Sequence, residues 1–202
     1  MNNITLTPPR EKFDIQIRLL NALKNHGWNG KWVAGESKID ITSKDSISLQ
    51  DRLNEKPLYY PDVLRLALCL GSQLAGLSKD GAEPKYGVLF FNLNDILVID
   101  KDWYLLTNLS KIIPLTEEND LELQQPIPLD GFLAPELVGA NTLPLIVNPS
   151  CAYYSLALLC LKTLGLHDNN MGGIDVLMGS KLYYLLQRCM EKNPVNRRFL
   201  YV

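Results

Sequence analysis

Phe13, Ile17, Leu20 and Leu23 recur at three- and four-residue intervals, which predicts an amphipathic helix over residues 10–25. Pro8-Pro9 precedes it, and residues 1–9 read as a loose arm. Gly27 and Gly30 end the helix and open a turn. Trp32-Val33 and Lys38 to Thr42 suit short strands, the second placing Ile39 and Ile41 on one face. Ser48 to Leu53 reads as a short helix. Pro61 suits a first helical turn, and behind it Leu66, Leu70, Leu74 and Leu77 mark a long buried helix. Ile96 to Ile99 and Trp103 to Leu106 form two short strands, with Lys101-Asp102 as the turn between them. Residues 107–131 are irregular and partly acidic, with Glu117, Glu118, Asp120 and Glu122. Ser155 to Leu164 is a second strongly apolar helix, stopped by Gly165. A last helix runs from Lys181 to Lys192 and ends before Pro194. A small mixed N-terminal part, a long helix, a hairpin, a long loop and further helices make an α+β chain.

The chain has 202 residues, room for one domain or for a small lobe and a larger one. Hydrophobic residues make up 47% and charged residues 21%, an ordinary globular composition. The formal net charge is −2, and the longest basic cluster is Arg197-Arg198 with Lys192 upstream, so no nucleic-acid footprint is expected. Cys69, Cys151, Cys160 and Cys189 form no Cys-x-x-Cys pair and read as small buried thiols. His26 and His167, the only two histidines, are not spaced from any cysteine as metal ligands are, so no metal site is expected. No stretch approaches the length of a membrane span, and the N-terminus lacks a basic-then-apolar signal. The chain is therefore expected to be soluble and cytoplasmic.

Ala134-Pro135-Glu136, in the string Phe132-Leu133-Ala134-Pro135-Glu136-Leu137, follows a hairpin and a long loop and precedes an apolar helix. In that position it resembles the Ala-Pro-Glu motif that closes the activation segment of a protein kinase. Tyr154-Ser155-Leu156 resembles the Trp-Ser-Leu of the central kinase helix. The stretch from Cys189 to Arg197 resembles the late Asp-Pro-x-x-Arg segment, with Asn193 in place of the aspartate. The resemblance covers about residues 48–200, with a fainter match before that. It implies a protein-kinase-like fold. Residues 1–47 would be a truncated N-lobe remnant of arm, helix and short strands, and residues 48–202 a mostly helical C-lobe-like domain. In the family the late arginine pairs with the motif glutamate; here that pair is Glu136 and Arg197.

Phosphoryl transfer needs a glycine loop over the phosphates, a strand lysine, a catalytic aspartate and metal-holding Asp and Asn residues. Aligning Asp95-Ile96-Leu97 with the catalytic-loop Asn-Ile-Leu puts Val88-Leu89-Phe90 where His-Arg-Asp belongs. The base position is then Phe90, which accepts no proton. Asn108-Leu109-Ser110 falls where Asp-Phe-Gly belongs, and neutral Asn108 is a poor magnesium ligand. Asp95 stands at the metal-binding asparagine position. Read alone it is a solvated turn aspartate; read through the resemblance it is a weak cation ligand. The aspartate that opens the central helix and tethers the catalytic loop aligns with Ala152. Val88 and Leu109 take the apolar column positions of the His and the Phe. Gly27-Trp28-Asn29-Gly30-Lys31 matches no phosphate-loop pattern, and residues 31–60 are too few for the missing strands and helix. The helix at 10–25 would then correspond to the small lobe's regulatory helix. Thr116 lacks its receiving arginine, because that position is Leu89.

Two classes of function are open to such a chain. In the first, it is an inactive pseudokinase, not an enzyme, that binds another protein or is built into a larger assembly; it needs no cofactor. Apolar surface left by the missing small-lobe strands would then mark the interface. In the second, a residual nucleotide-binding or unorthodox kinase activity uses Asp95 and Asn108.

Overall fold

In the computed structural model, which describes residues 2–128, 130–138, 142–166 and 171–200, the chain opens with a strand, β1 (Asn2–Leu6). The loose arm expected at residues 1–9 is thus corrected. Ile4 and Leu6 alternate with polar residues and lie opposite Ile41 and Ile39 of β3 (Ile39–Ser43). That long-range pairing gives five residues a ladder whose one local signal is this short alternation. Next come a short 3-10 turn at Arg10–Lys12 and helix α1 (Phe13–Asn25). Gly27, with φ of 105°, turns the chain in a conformation that side chains disfavour. Strand β2 (Lys31–Ala34) pairs antiparallel with the other edge of β3, so the first sheet has the order β1-β3-β2.

Strand β4 (Ser46–Ser48) leads into α2 (Leu49–Glu55), whose N-cap Ser48 accepts a hydrogen bond from the Asp51 N–H. The long helix α3 (Tyr60–Leu77) carries Pro61 in its first turn. Strand β5 (Tyr86–Val88) precedes the hairpin of β6 (Ile96–Ile99) and β7 (Trp103–Leu106). At the hairpin turn Asp100 and Lys101 both have positive φ, 52° and 70°, so the tight turn centres one residue earlier than expected. The segment expected to be irregular contains two three-residue strands, β8 (Ile112–Pro114) and β9 (Leu121–Leu123). Each is too short to show a period and forms because distant partners fix it. β8 pairs with β5, and β9 with β10 (Leu145–Val147). Helix α4 (Pro135–Val138) lies between β9 and β10 in sequence. The apolar helix α5 (Cys151–Thr163) starts four residues before its expected onset, and α6 (Lys181–Cys189) closes the described helices.

One apolar core joins both sides of the 47/48 boundary. Leu19, Leu20 and Leu23 of α1, Leu66 and Leu70 of α3, and Leu156 and Leu159 of α5 belong to one cluster in which α3 packs on both α1 and α5, all within 1% of complete burial. Strand β4 straddles that boundary and pairs with β6, making a second sheet of order β4-β6-β7. The outer edge of β7 is closed by side chains. The Gln73 amide of α3 donates to the Tyr104 carbonyl (2.8 Å) and accepts from the Leu106 N–H (3.0 Å). Gln16 of α1 donates to the Leu106 carbonyl (3.2 Å). Two buried glutamines therefore supply what a fourth strand would supply, and the edge is not left unpaired. Among the described residues no helix is long and apolar enough to cross a membrane.

Replacing Gln73 by Leu keeps the volume and orphans two buried backbone groups. Urea unfolding is expected to show a loss of about 2–4 kcal/mol, against under about 1.5 kcal/mol for a volume-conserving swap such as Leu70→Met.

Candidate functional site

The segment from Val88 to Asp95 passes between the main core and a smaller apolar cluster. Phe90, expected from the kinase resemblance at the base position, is 1% exposed and belongs to that smaller cluster with Leu121, Leu123, Ala134 and Leu137. Gly131 crosses its ring: a Cβ there would lie 2.3 Å from Phe90 Cδ2. Only glycine permits that approach, and it seals the ring from solvent. An antiparallel bridge between Phe91 and Phe132 holds the crossing in place.

Asp95 ends a 3-10 turn (Leu93–Asp95) and is 3% exposed, which overturns its reading as a solvated turn residue. Burying a carboxylate is costly unless every oxygen is answered. One oxygen accepts from the Asn108 side-chain amide (2.7 Å). The other accepts from the Asn92 N–H (2.8 Å) and from the Lys111 ammonium (2.6 Å). The Asp95 carbonyl also accepts from the Thr107 N–H and hydroxyl. The Lys111 side chain is itself only 12% exposed, and its Nζ stands 4.4 Å from the centre of the Phe90 ring. That ammonium is therefore shared between a carboxylate and an aromatic face. The structure thus brings Phe90, Asp95 and Asn108 to one place, with Lys111 as the cation among them. In the sequence nothing separates Lys111 from a surface lysine, and it escapes notice there.

Asn108 accepts from the Ser110 N–H and hydroxyl, so its carbonyl oxygen is turned into the next bend, away from Asp95. Lys12 reaches that bend from the turn before α1 and donates to the carbonyls of Leu109 (2.6 Å) and Ile112 (3.3 Å). Burial lowers the pKa of this ammonium, and neighbouring Glu11 partly restores it. Val88 and Leu109 are 1% and 4% exposed and belong to the main core.

Residue 152 is alanine and offers no tether, yet the loop is held. Ser155 Oγ, one turn further along α5, accepts from the Phe91 N–H (2.8 Å). The Cys151 thiol faces the Val88 carbonyl (3.7 Å). The buried Phe91 N–H needs an acceptor, and Ser155 supplies it in place of residue 152. The signal available in the sequence is Ser155 itself, a hydroxyl in an otherwise apolar helix.

Glu136 and Arg197 are paired. The Arg197 Nη1 and Nη2 donate to the two carboxylate oxygens, the second at 2.9 Å, and its Nε donates to the Glu191 carbonyl (2.8 Å). The Arg197 side chain is 0% exposed and that of Glu136 21%. The guanidinium lies 4.9 Å from the Tyr154 ring centre. This forked pair ties the end of the long loop to the segment after α6. Burial pushes the neighbouring Cys151 thiol up to about 12; Glu136 pushes the same way and Arg197 opposes it. Burial also raises Cys69 to about 11 and Cys189 to about 12, so these thiols stay protonated and are poor nucleophiles at neutral pH.

Among the described residues no group of three or more His, Cys, Asp or Glu converges as a metal site would. His167 lies outside the described residues. Thr116 is spent within the loop: its N–H donates to the Asp120 carbonyl and its hydroxyl accepts from the Asp120 N–H. Glu117 and Glu118 are exposed in a polar turn. The chain matches no protein-family model, and no curated protein matches it significantly.

Changing Glu136 to Gln removes the charge that answers a buried guanidinium. Chemical denaturation is expected to show about 3–5 kcal/mol of destabilisation. A loss below about 1 kcal/mol, the range of exposed pairs, would show that the pair is not buried in solution.

Proposed function

We propose that this chain is a protein-kinase-like fold whose catalytic centre is filled by its own side chains, an inactive pseudokinase that works by binding another protein or within a larger assembly. One observation carries the reading: the residues aligned with the kinase base and metal ligands meet at one point, and that point holds a lysine ammonium. Kinase catalysis is positioning plus electrostatic stabilisation of a transferring phosphoryl group. Here Phe90 takes no proton from an incoming hydroxyl. The Asp95 charge is already spent on Lys111, and the Asn108 oxygen faces Ser110. A magnesium ion arriving at Asp95 would have to displace a buried ammonium and then stand beside it, which like-charge repulsion opposes.

The N-terminal part supports the same reading. The sheet β1-β3-β2 and helix α1 are small beside a complete kinase small lobe, and the lysine that reaches Asp95 comes from the bend after β7 instead. Lys12 is turned onto backbone carbonyls. Among the described residues of the first sheet, Val33 at 70% is the large apolar side chain left exposed. Other exposed apolar residues lie later in the chain: Val138 of α4 and Ile146 of β10, and Val176 and Met178 before α6. These residues, and not the surface expected to be left by the missing small-lobe strands, are the exposed apolar positions at which a partner is expected.

Thermal unfolding with ATP and magnesium tests the reading. A ligand that binds only the folded state raises the midpoint with concentration. We expect no saturable rise with ATP alone, magnesium alone or both, and no phosphate incorporation from labelled ATP into protein substrates. A saturable rise that needs both and disappears in Asp95→Ala would contradict it.

A further inference from the structure

The first sheet has the order β1-β3-β2, so β1 and β2 each have one partner and one open edge. Which backbone groups face the open edge of β1 follows from the β2–β3 hairpin. The Gly35 N–H donates to the Lys38 carbonyl (2.8 Å), so the hydrogen-bonded pairs are Gly35–Lys38, Val33–Asp40 and Lys31–Thr42. Alternation then turns the backbone groups of Ile39, Ile41 and Ser43 towards β1, opposite Leu6, Ile4 and Asn2. The N–H and C=O groups of Asn3 and Thr5 therefore point outward. Among the described residues none of these four groups has a hydrogen-bond partner.

An open edge is a template for another strand, and folded proteins guard it with a charge, a proline, a bulge or a covering side chain. The β7 edge is covered in that way by Gln73 and Gln16. At five residues β1 is the longest edge strand among the described residues, and none of the five is charged. Its side chains are sorted by face. Asn3 and Thr5 are exposed, and the Thr5 hydroxyl donates to the Asp40 carboxylate (2.6 Å). Ile4 and Leu6 pack against the main core and yet stay only half-buried.

We propose that β1 pairs antiparallel with β1 of a second copy of this chain, about a two-fold axis at Thr5, and joins two three-stranded sheets into one of six strands. The strand is complementary to itself in that register. Thr5 stands opposite its own copy, and Ile4 stands opposite Leu6 of the second copy, twice over. Those apolar pairs fall at the closely spaced, non-hydrogen-bonded positions and cover what is left open of Ile4 and Leu6. A two-fold axis at Ile4 would set Leu6 against Asn2 instead, so the hydrophobic pattern selects the first register. Charge presents no obstacle. The charged residue beside Thr5 is Asp40, and its two copies would stand three strand spacings apart, about 14 Å, beyond the Debye length of ~8 Å at physiological salt. Pro8 and Pro9 end the ladder, because neither has an N–H to donate. The pairing uses none of the residues aligned with a kinase centre, so it stands or falls apart from the pseudokinase reading.

Sedimentation of the full chain over a range of concentrations tests the pairing. One strand pair is a small interface, so the average mass is expected to rise from one chain towards two between ~10 µM and ~1 mM. Thr5→Pro deletes an outward N–H and leaves the β1–β3 ladder whole, and is expected to remain a single chain throughout. Thr5→Val loses the same hydroxyl but keeps the N–H, and is expected to associate as the parent does. If circular dichroism shows Thr5→Pro to be unfolded, Thr5→Cys decides the matter. The four native thiols are buried, so a short bismaleimide is expected to join Thr5→Cys to its own copy. It is expected to leave Val33→Cys, equally exposed but on the other edge strand, as single chains. A parent chain that stays single at ~1 mM, Thr5→Pro that associates as the parent does, or Val33→Cys that couples as fast as Thr5→Cys would each overturn the proposal. So would growth beyond two chains, which a head-to-tail contact of β1 with β2 would produce.

Discussion

The Asp95 carboxylate is buried and charged, and the centre of the chain is arranged around answering it. Its three donors come from Asn92, Asn108 and Lys111, so a single carboxylate fixes the turn before β6 and the bend after β7. Through the Asp95 carbonyl it also fixes Thr107. Low local dielectric makes each of these bonds stronger, and makes the loss of any one more damaging. The Lys111 ammonium that neutralises the carboxylate also rests on Phe90, which joins the polar cluster to the apolar one beneath the long loop. Asp95 and Asn108 are thereby committed to structure.

Two further devices hold this centre in position. Gln73 and Gln16 close the free edge of β7, so the hairpin that carries Asp95 at its base is docked on α3 and α1 through hydrogen bonds as well as apolar packing. At the other end, Arg197 grips Glu136 and the Glu191 carbonyl, and Ser155 grips the Phe91 N–H. The long loop is pinned between these points, with Gly131 lying directly over Phe90.

Much of this is legible in the sequence, and the reasons are local. The hairpin falls at Ile96–Ile99 and Trp103–Leu106, where two apolar runs flank a polar turn. Helices α1 and α3 are visible from their periodic leucines. The pairing of Glu136 with Arg197 is what the resemblance of two short motifs to the protein-kinase pattern implies. The strands β1, β8 and β9 are hidden because three to five residues carry almost no period, and their partners lie far off in sequence. The burial of Asp95 is hidden for a related reason. Burial of a polar residue depends on which cation the fold delivers, and Lys111, sixteen residues away, carries no local sign of that task. Ser155 stands in plain sight, but its place in a three-residue motif masks its work as an acceptor.

The central claim is that Asp95 and Lys111 form one electrostatic unit on which the centre of the chain depends. A double-mutant cycle by urea unfolding, with Asp95→Asn, Lys111→Met and the pair together, tests it most directly. Each single change leaves a buried partner unanswered and is predicted to cost about 3–5 kcal/mol. The double variant, in which neither charge remains, is predicted to recover at least about 2 kcal/mol relative to the sum. Additivity of the two single changes to within about 0.5 kcal/mol would mean that the groups do not interact in solution, and would contradict the account.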